Sequence, residues 1–96
     1  MRRPCTYILT NRGNQLFYIG VTSDIAARMV QHRAGKGATH CQRYNIRKLV
    51  HIEFHATMLE AIAREKALKE WQRPWKRRLI DANNPEWDDL FDTLLG

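Results

Sequence analysis

The sequence predicts an α+β domain: a three-stranded β-sheet with an antiparallel N-terminal hairpin, flanked by helices in the order β-β-α-β-α-α-α. Two short runs rich in β-branched and aromatic residues flank a tight turn near the N-terminus. A third such run, KLVHIEFHA, follows a polar stretch. The intervening and following segments carry helix start and stop signals at helical spacing. At 96 residues the chain has room for one hydrophobic core. Residues 1–82 are read as the main domain, and 83–96 as an acidic C-terminal helix packed on or extending it.

In CTYILT and QLFYIG the turn between the runs is Arg12-Gly13-Asn14, with Gly13 free to take positive φ. Period-2 alternation places Tyr7 on one face with Cys5 and Leu9, and Tyr18 on one face with Leu16 and Gly20. Closure at this turn would put both phenols on the same side of the sheet. Thr22 or Ser23 then caps a helix from about Asp24 to Arg33, which Gly35 and Gly37 end. Residues 38–47 are polar and irregular, with room for one short helical turn. The third strand sets Val50, Ile52 and Phe54 on one face and His51, Glu53 and His55 on the other. Thr57 caps a helix to about Gln72, Pro74 opens another to about Ala82, and Asn84-Pro85 opens a last one ending near Leu95.

A hydrophobic share of 44% suits a globular chain. No apolar run is long enough for a membrane span or a signal core, and a cytoplasmic location is expected. Cys5 and Cys41 match no zinc or redox spacing and are read as free thiols. The net charge of +6 hides an asymmetry: residues 1–80 carry all 16 Lys and Arg against five acids, while 81–96 carry five acids and no base. A body that basic either binds a polyanion or is simply well solvated. The acidic tail is a candidate surface for a protein partner, or a counterweight to the basic body.

Several polar residues fall on faces that should be apolar. At 100° per residue, Ile25, Arg28, Met29 and His32 share one sector, so Arg28 and His32 lie on the buried side. An arginine there either pairs with an internal carboxylate or lines a cleft that an anion enters. His32 by itself reads as a satisfied histidine at the edge of the core sooner than as a ligand or base. On the second long helix, Glu65 sits among Met58, Ala61, Ile62 and Leu68 and needs a cation: Arg28, a metal, or Lys69 one turn on. A tyrosine-arginine-glutamate set suits phosphoryl chemistry. The phenol serves as base if a cation lowers its pKa, the arginine holds phosphate by two parallel hydrogen bonds, and a lone carboxylate with waters suits magnesium.

The chain also resembles the GIY-YIG nucleases, most closely their short stand-alone bacterial members. Tyr7 stands in the first signature, with Cys5-Thr6 in place of Gly-Ile, and the second is intact as Tyr18-Ile19-Gly20. The interval of eleven positions from Tyr7 to Tyr18 is usual for that family. Arg28 and His32 fall where members carry an arginine and often a histidine, EAIAREKALKEW resembles the family's glutamate helix, and NPEWDDL resembles the ending of the short members.

The resemblance implies a GIY-YIG-like fold and a metal-dependent endonuclease acting on DNA in preference to RNA. Such an enzyme would be directed by structure rather than base sequence and would serve repair or recombination. A nucleic-acid-binding module of the same fold that cuts weakly or not at all is the alternative. In the implied mechanism Tyr7 accepts or relays the proton of the attacking water while Tyr18 orients water and phosphate. Arg28 holds the scissile phosphate, Glu65 binds a single Mg²⁺ or Mn²⁺, and His32 is an auxiliary phosphate contact or proton donor. The sequence departs from some relatives in carrying Val21, not lysine, after the second signature. Asn84 is the nearest match to a late asparagine of several relatives, although capping alone accounts for an asparagine before proline. Arg73, Lys76 and Arg77, with Arg78 nearby and Trp71 and Trp75 interleaved, are candidates for gripping nucleic-acid backbone or stacking on bases. Core packing accounts for at least one of those tryptophans.

Overall fold

Strand β1 (Cys5–Thr10) is the middle strand of a three-stranded sheet, between β2 (Phe17–Thr22) and β3 (Lys48–Phe54), and both pairings are antiparallel. The computed structural model describes residues 2–95, with only the backbone of Leu95. Met1 and Gly96, the outer ends of the segments 1–82 and 83–96, lie outside the described residues. The remaining elements are α1 (Ile25–Arg33), α2 (Thr39–Arg43), α3 (Met58–Glu70), α4 (Arg73–Asn83) and α5 (Phe91–Leu95). The α+β class and the order of the main elements are those predicted. The polar stretch contributes only the short α2.

All six residues of β1 are buried, because helices cover both faces of the sheet. Cys5, Tyr7 and Leu9 join Ile25 and Met29 of α1 in one cluster, against which Phe91 and Leu94 also pack. On the other side Ile8, Ile19 and Val50 pack with Leu68 of α3 and Ile80 of α4. The threonines of β1 are buried with their hydroxyls satisfied: Thr6 donates to the Ala61 carbonyl at 2.8 Å, and Thr10 reaches Asn14 Oδ1 at 3.3 Å.

Four local expectations are corrected. Asn14, not Gly13, takes the left-handed conformation at φ 58°. Asn11 Oδ1 accepts from the Gln15 and Leu16 amides at 2.8 and 2.9 Å, and asparagine tolerates that conformation well. The cap of α1 is Asp24, whose carboxylate accepts from the Ala27 amide. Thr22 instead receives the Asp24 amide, one step earlier. In β3 the single-face reading of Val50, Ile52 and Phe54 fails at an irregularity. Ile8 pairs with His51 but Leu9 with Leu49, so Val50 is the extra residue of a bulge. Ile52 consequently packs with the first cluster and Val50 with the second.

The last helix starts at Phe91, not after Asn84-Pro85. Buried Asn84 donates to the Val50 and Asp88 carbonyls and accepts from the Asp88 amide, which holds residues 84–90 in a loop turned at Trp87, φ 53°. All of its hydrogen-bonding groups therefore serve the fold.

Candidate active site

Antiparallel register sets the phenols beside each other. Tyr7 pairs with Gly20 and Leu9 with Tyr18, so Tyr7 and Tyr18 project from the same face with ring centroids 6.4 Å apart. The Tyr7 ring lies directly across Gly20: a Cβ there would stand 2.4 Å from both Cζ and the hydroxyl. Glycine is needed for this close approach, not for a special φ. The loop after α1 makes a matching contact, for a Cβ on Gly37 would lie 2.2 Å from His32 Nδ1.

Helical spacing brings the third and fourth groups. His32, in the last turn of α1, lies edge-on to both phenols, 6.4 Å from Tyr7 and 6.0 Å from Tyr18. Arg28 precedes it by one turn on the same side of the helix. Arg28 is half-buried, and its charge acts on Tyr7, Tyr18 and His32 alike. Glu65 arrives from α3, which packs on β1 and β2. Its side chain is 16% exposed, its negative charge is felt at Tyr18, and Lys69 Nζ lies 3.5 Å from it. Arg28 and Glu65 thus act on one phenol from different helices.

The five groups differ in depth. Tyr7 is fully buried and His32 nearly so, while Tyr18, Arg28 and Glu65 are partly exposed. Of the two phenols only Tyr18 meets solvent, because Tyr7 stands on the middle strand with its ring across Gly20. Neither the Tyr7 hydroxyl nor His32 Nε2 has a partner in hydrogen-bond geometry among the described residues, although the Arg28 guanidinium comes close enough to the Tyr7 hydroxyl to favour its anion. Buried polar atoms without partners are rare; of the three among the described residues, the third being His51 Nδ1, two fall on the neighbouring Tyr7 and His32 rings, where a polar ligand or water would complete them. Burial pushes the Tyr7 phenol up to about 12, against the pull of Arg28 beside it. Burial also raises Tyr18, assisted by Cys41 and, less, by Glu65, and opposed by Arg28. His32 is driven down by burial and by Arg28, so it is a neutral imidazole near pH 7. The buried thiols Cys5 and Cys41 are free and lifted to about 11 by desolvation, too high for a nucleophile.

Among the described residues no three His, Cys, Asp or Glu side chains come together, which removes a zinc-type site. A hard cation that keeps most of its waters and needs one carboxylate fits Glu65, whose neighbour Lys69 is long and half-exposed and can move aside.

This arrangement has a family counterpart: the GIY-YIG catalytic domain matches residues 3–78. The chain belongs to the GIY-YIG family. Its fold is accordingly of the nuclease type, and the GIY-YIG match takes in all five residues of the hollow. The chain is similar to a UPF0213 protein of Staphylococcus haemolyticus, 33% identical over 81 residues that cover 84% of this chain and 98% of that one. It is also similar to a UPF0213 protein of Streptococcus pneumoniae, 34% identical over 77 residues, 80% of this chain and 77% of the other. The solution NMR structure of a UPF0213 protein from Bacillus halodurans has the same fold, with a TM-score of 0.58, 25% identity and coverage of 91% and 92%.

Arg73, Lys76 and Arg77 lie apart from the hollow, on α4 beside the second cluster. Arg77 donates to the Asn14 carbonyl at 2.8 Å and lies over the rings of Phe17 and Trp87, so it holds the hairpin turn against α4. Arg73 also lies over Phe17. Lys76 has no carboxylate partner among the described residues. Sequence reasoning missed a second, basic hollow of about 390 Å³ lined by Arg12, Arg33, Asn45, Arg47, Lys48 and Asp89. Its cations come from three separate segments, so no local spacing announces it. Gly37 was also missed as the support of His32; its position after a helix looks like an ordinary stop.

Proposed function

We propose that the chain is a metal-dependent endonuclease that hydrolyses phosphodiester bonds of DNA, directed by the structure of its substrate and serving repair or recombination. The observation that carries this reading is the pair of buried, unpartnered atoms, Tyr7 Oη and His32 Nε2, on neighbouring rings that both feel the Arg28 charge. A folded protein keeps such atoms when a ligand or water completes them.

Arg28 binds the scissile phosphate through paired hydrogen bonds and offsets the charge that develops on it. Tyr18, the phenol within reach, orients a water so that its oxygen bonds to phosphorus as the bond to the leaving oxygen breaks. The water's proton passes to Tyr18 in its phenolate form, and the neighbouring Tyr7 and His32 are positioning residues that relay or hold that proton. Both phenols are protonated in the free protein at neutral pH, because burial outweighs Arg28. Glu65 would hold a single Mg²⁺ or Mn²⁺, which supplies positive charge to draw the phenols down and to stabilise the leaving oxygen.

The test is nicking of branched, single-stranded and duplex DNA in Mg²⁺ or Mn²⁺. Arg28→Ala and Glu65→Ala should each lose about a hundredfold or more in rate while keeping the fold. Full activity of either variant, or of the wild type in excess chelator, would overturn the reading. The raised Tyr7 phenol and the absent lysine at Val21 favour a second reading, a nucleic-acid-binding module that does not cut. Tight DNA binding with no nicking in either metal would select it.

A further inference from the structure

Trp71 follows the last residue of α3, and Trp75 lies in the first turn of α4. Their rings stand 6.4 Å apart and nearly perpendicular, and with Gln72 they line an apolar hollow of about 380 Å³. That volume is in the range of small-molecule sites. Trp71 packs partly against the second cluster, which explains it as core. Trp75 is 55% exposed and has no such explanation.

The rim decides what could occupy the hollow. The Arg78 guanidinium lies 5.8 Å from the centre of the Trp75 ring, and Arg64 lies 4.9 Å from that of Trp71. Arg64 is committed to Glu53, but Arg78 has no carboxylate partner among the described residues. Two indole walls, an exposed amide with donor and acceptor, and a cationic rim suit a flat aromatic group that carries an anion. A nucleotide has that chemistry. Inside a duplex the faces of a base are covered by its neighbours, so only an unpaired base can enter. Glu65 precedes Trp71 by six residues, about 9 Å along a helix axis, or roughly three stacked nucleotide steps.

We infer that the Trp71–Trp75 hollow is a stacking site for one unpaired base of a nucleic-acid strand, a few nucleotides from the phosphate held at Arg28 and Glu65. The position relative to that phosphate rests on the nuclease reading; the stacking itself does not. The site would direct the protein to DNA with a single-stranded segment.

The test is binding without divalent metal, read as fluorescence anisotropy of a labelled single strand and of the same sequence in a blunt duplex. Trp75→Ala should weaken single-strand binding about tenfold or more and duplex binding less than about twofold, while Trp75→Phe keeps most of the affinity. Urea midpoints of both variants should match the wild type, since this ring is largely in solvent. Wild-type single-strand affinity in Trp75→Ala, or equal loss on both DNAs, overturns the inference, and Trp75→Leu, apolar but unable to stack, decides in the same way if the alanine variant misfolds. A protein that never nicks DNA would defeat the nuclease reading and leave this measurement standing.

Discussion

Tyr7→Phe should make the protein more stable and less active at once. The substitution removes one oxygen that is fully buried and has no partner among the described residues. A buried hydroxyl without a hydrogen bond costs about 1–3 kcal/mol, and the small gap left by its removal offsets part of the gain, under about 1 kcal/mol. The net expectation is a gain of about 1 kcal/mol, which in a domain of this size raises the melting temperature by about 4–8 °C. The ring stays in place across Gly20, so packing of the first cluster is unchanged. Loss of the proton relay should lower the nicking rate by about a hundredfold or more. Urea denaturation at pH 7 without metal, followed by tryptophan fluorescence, gives the stability. Nicking of one branched substrate gives the rate. A variant destabilised by about 1 kcal/mol or more would show that the hydroxyl is bonded in solution, and the argument from unpartnered atoms would fail. A stabilised variant with undiminished nicking would place Tyr7 outside the reaction.

Gly20→Ala sets a methyl group 2.4 Å from Tyr7 Cζ and hydroxyl and should cost about 1–3 kcal/mol in urea denaturation, with nicking falling in parallel. A wild-type midpoint and rate would mean that the ring turns aside freely. Because Tyr7 stands near 12 and Tyr18 is also raised, the rate should climb from roughly pH 6 to 9 as the phenolate fraction grows. A flat rate across that range would remove the phenols as bases. Glu53 is held at about 2, first by its hydrogen bond to His51 and then by the paired Arg64 bonds, against an ordinary 4.5. A depressed carboxyl stabilises the fold above its unfolded pKa and loses that contribution as pH falls through the folded one. The interaction is therefore worth about 3 kcal/mol at pH 7 and about half that at pH 3. Glu53→Gln should lose this stability at pH 7 and approach the wild type in acid. An identical deficit at both pH values would refute the assignment.

Strand and helix identity was legible because alternation and capping are local. CTYILT, QLFYIG and KLVHIEFHA became strands, and the sector of Ile25, Arg28, Met29 and His32 packed as the helical period requires, with Ile25, Met29 and His32 buried and Arg28 half-buried. What the local pattern could not hold was anything set across the sheet. The bulge at Val50 arises from pairing with Ile8 and Leu9, so alternation within KLVHIEFHA gives no sign of it. Asn84 looked like the start of a helix because asparagine before proline fits that role. Its side chain instead reaches Val50, 34 positions away. At the hollow, periodicity put Tyr7, Arg28, His32 and Glu65 among apolar neighbours. The depth of Tyr7, however, follows from β1 being the middle strand, which only the whole topology fixes.

The hollow is assembled from two cores that share one sheet. Ile25 and Met29 anchor α1, and with it Arg28 and His32, to the first cluster. Leu68 anchors α3, and with it Glu65, to the second cluster on the opposite face. Strands β1 and β2 are the common reference for both helices, and they carry the two phenols themselves. The separation of Arg28 and His32 from Glu65 is therefore set by the rigid hydrogen-bonded ladder, not by a helix-to-helix contact that could slide. Glycine at position 20 serves the same end, since it lets the Tyr7 ring lie flat across the neighbouring strand. The Tyr18-Ile19-Gly20 signature is thus a geometric device: one phenol at the rim, one apolar anchor in the second cluster, and one gap that the other phenol fills.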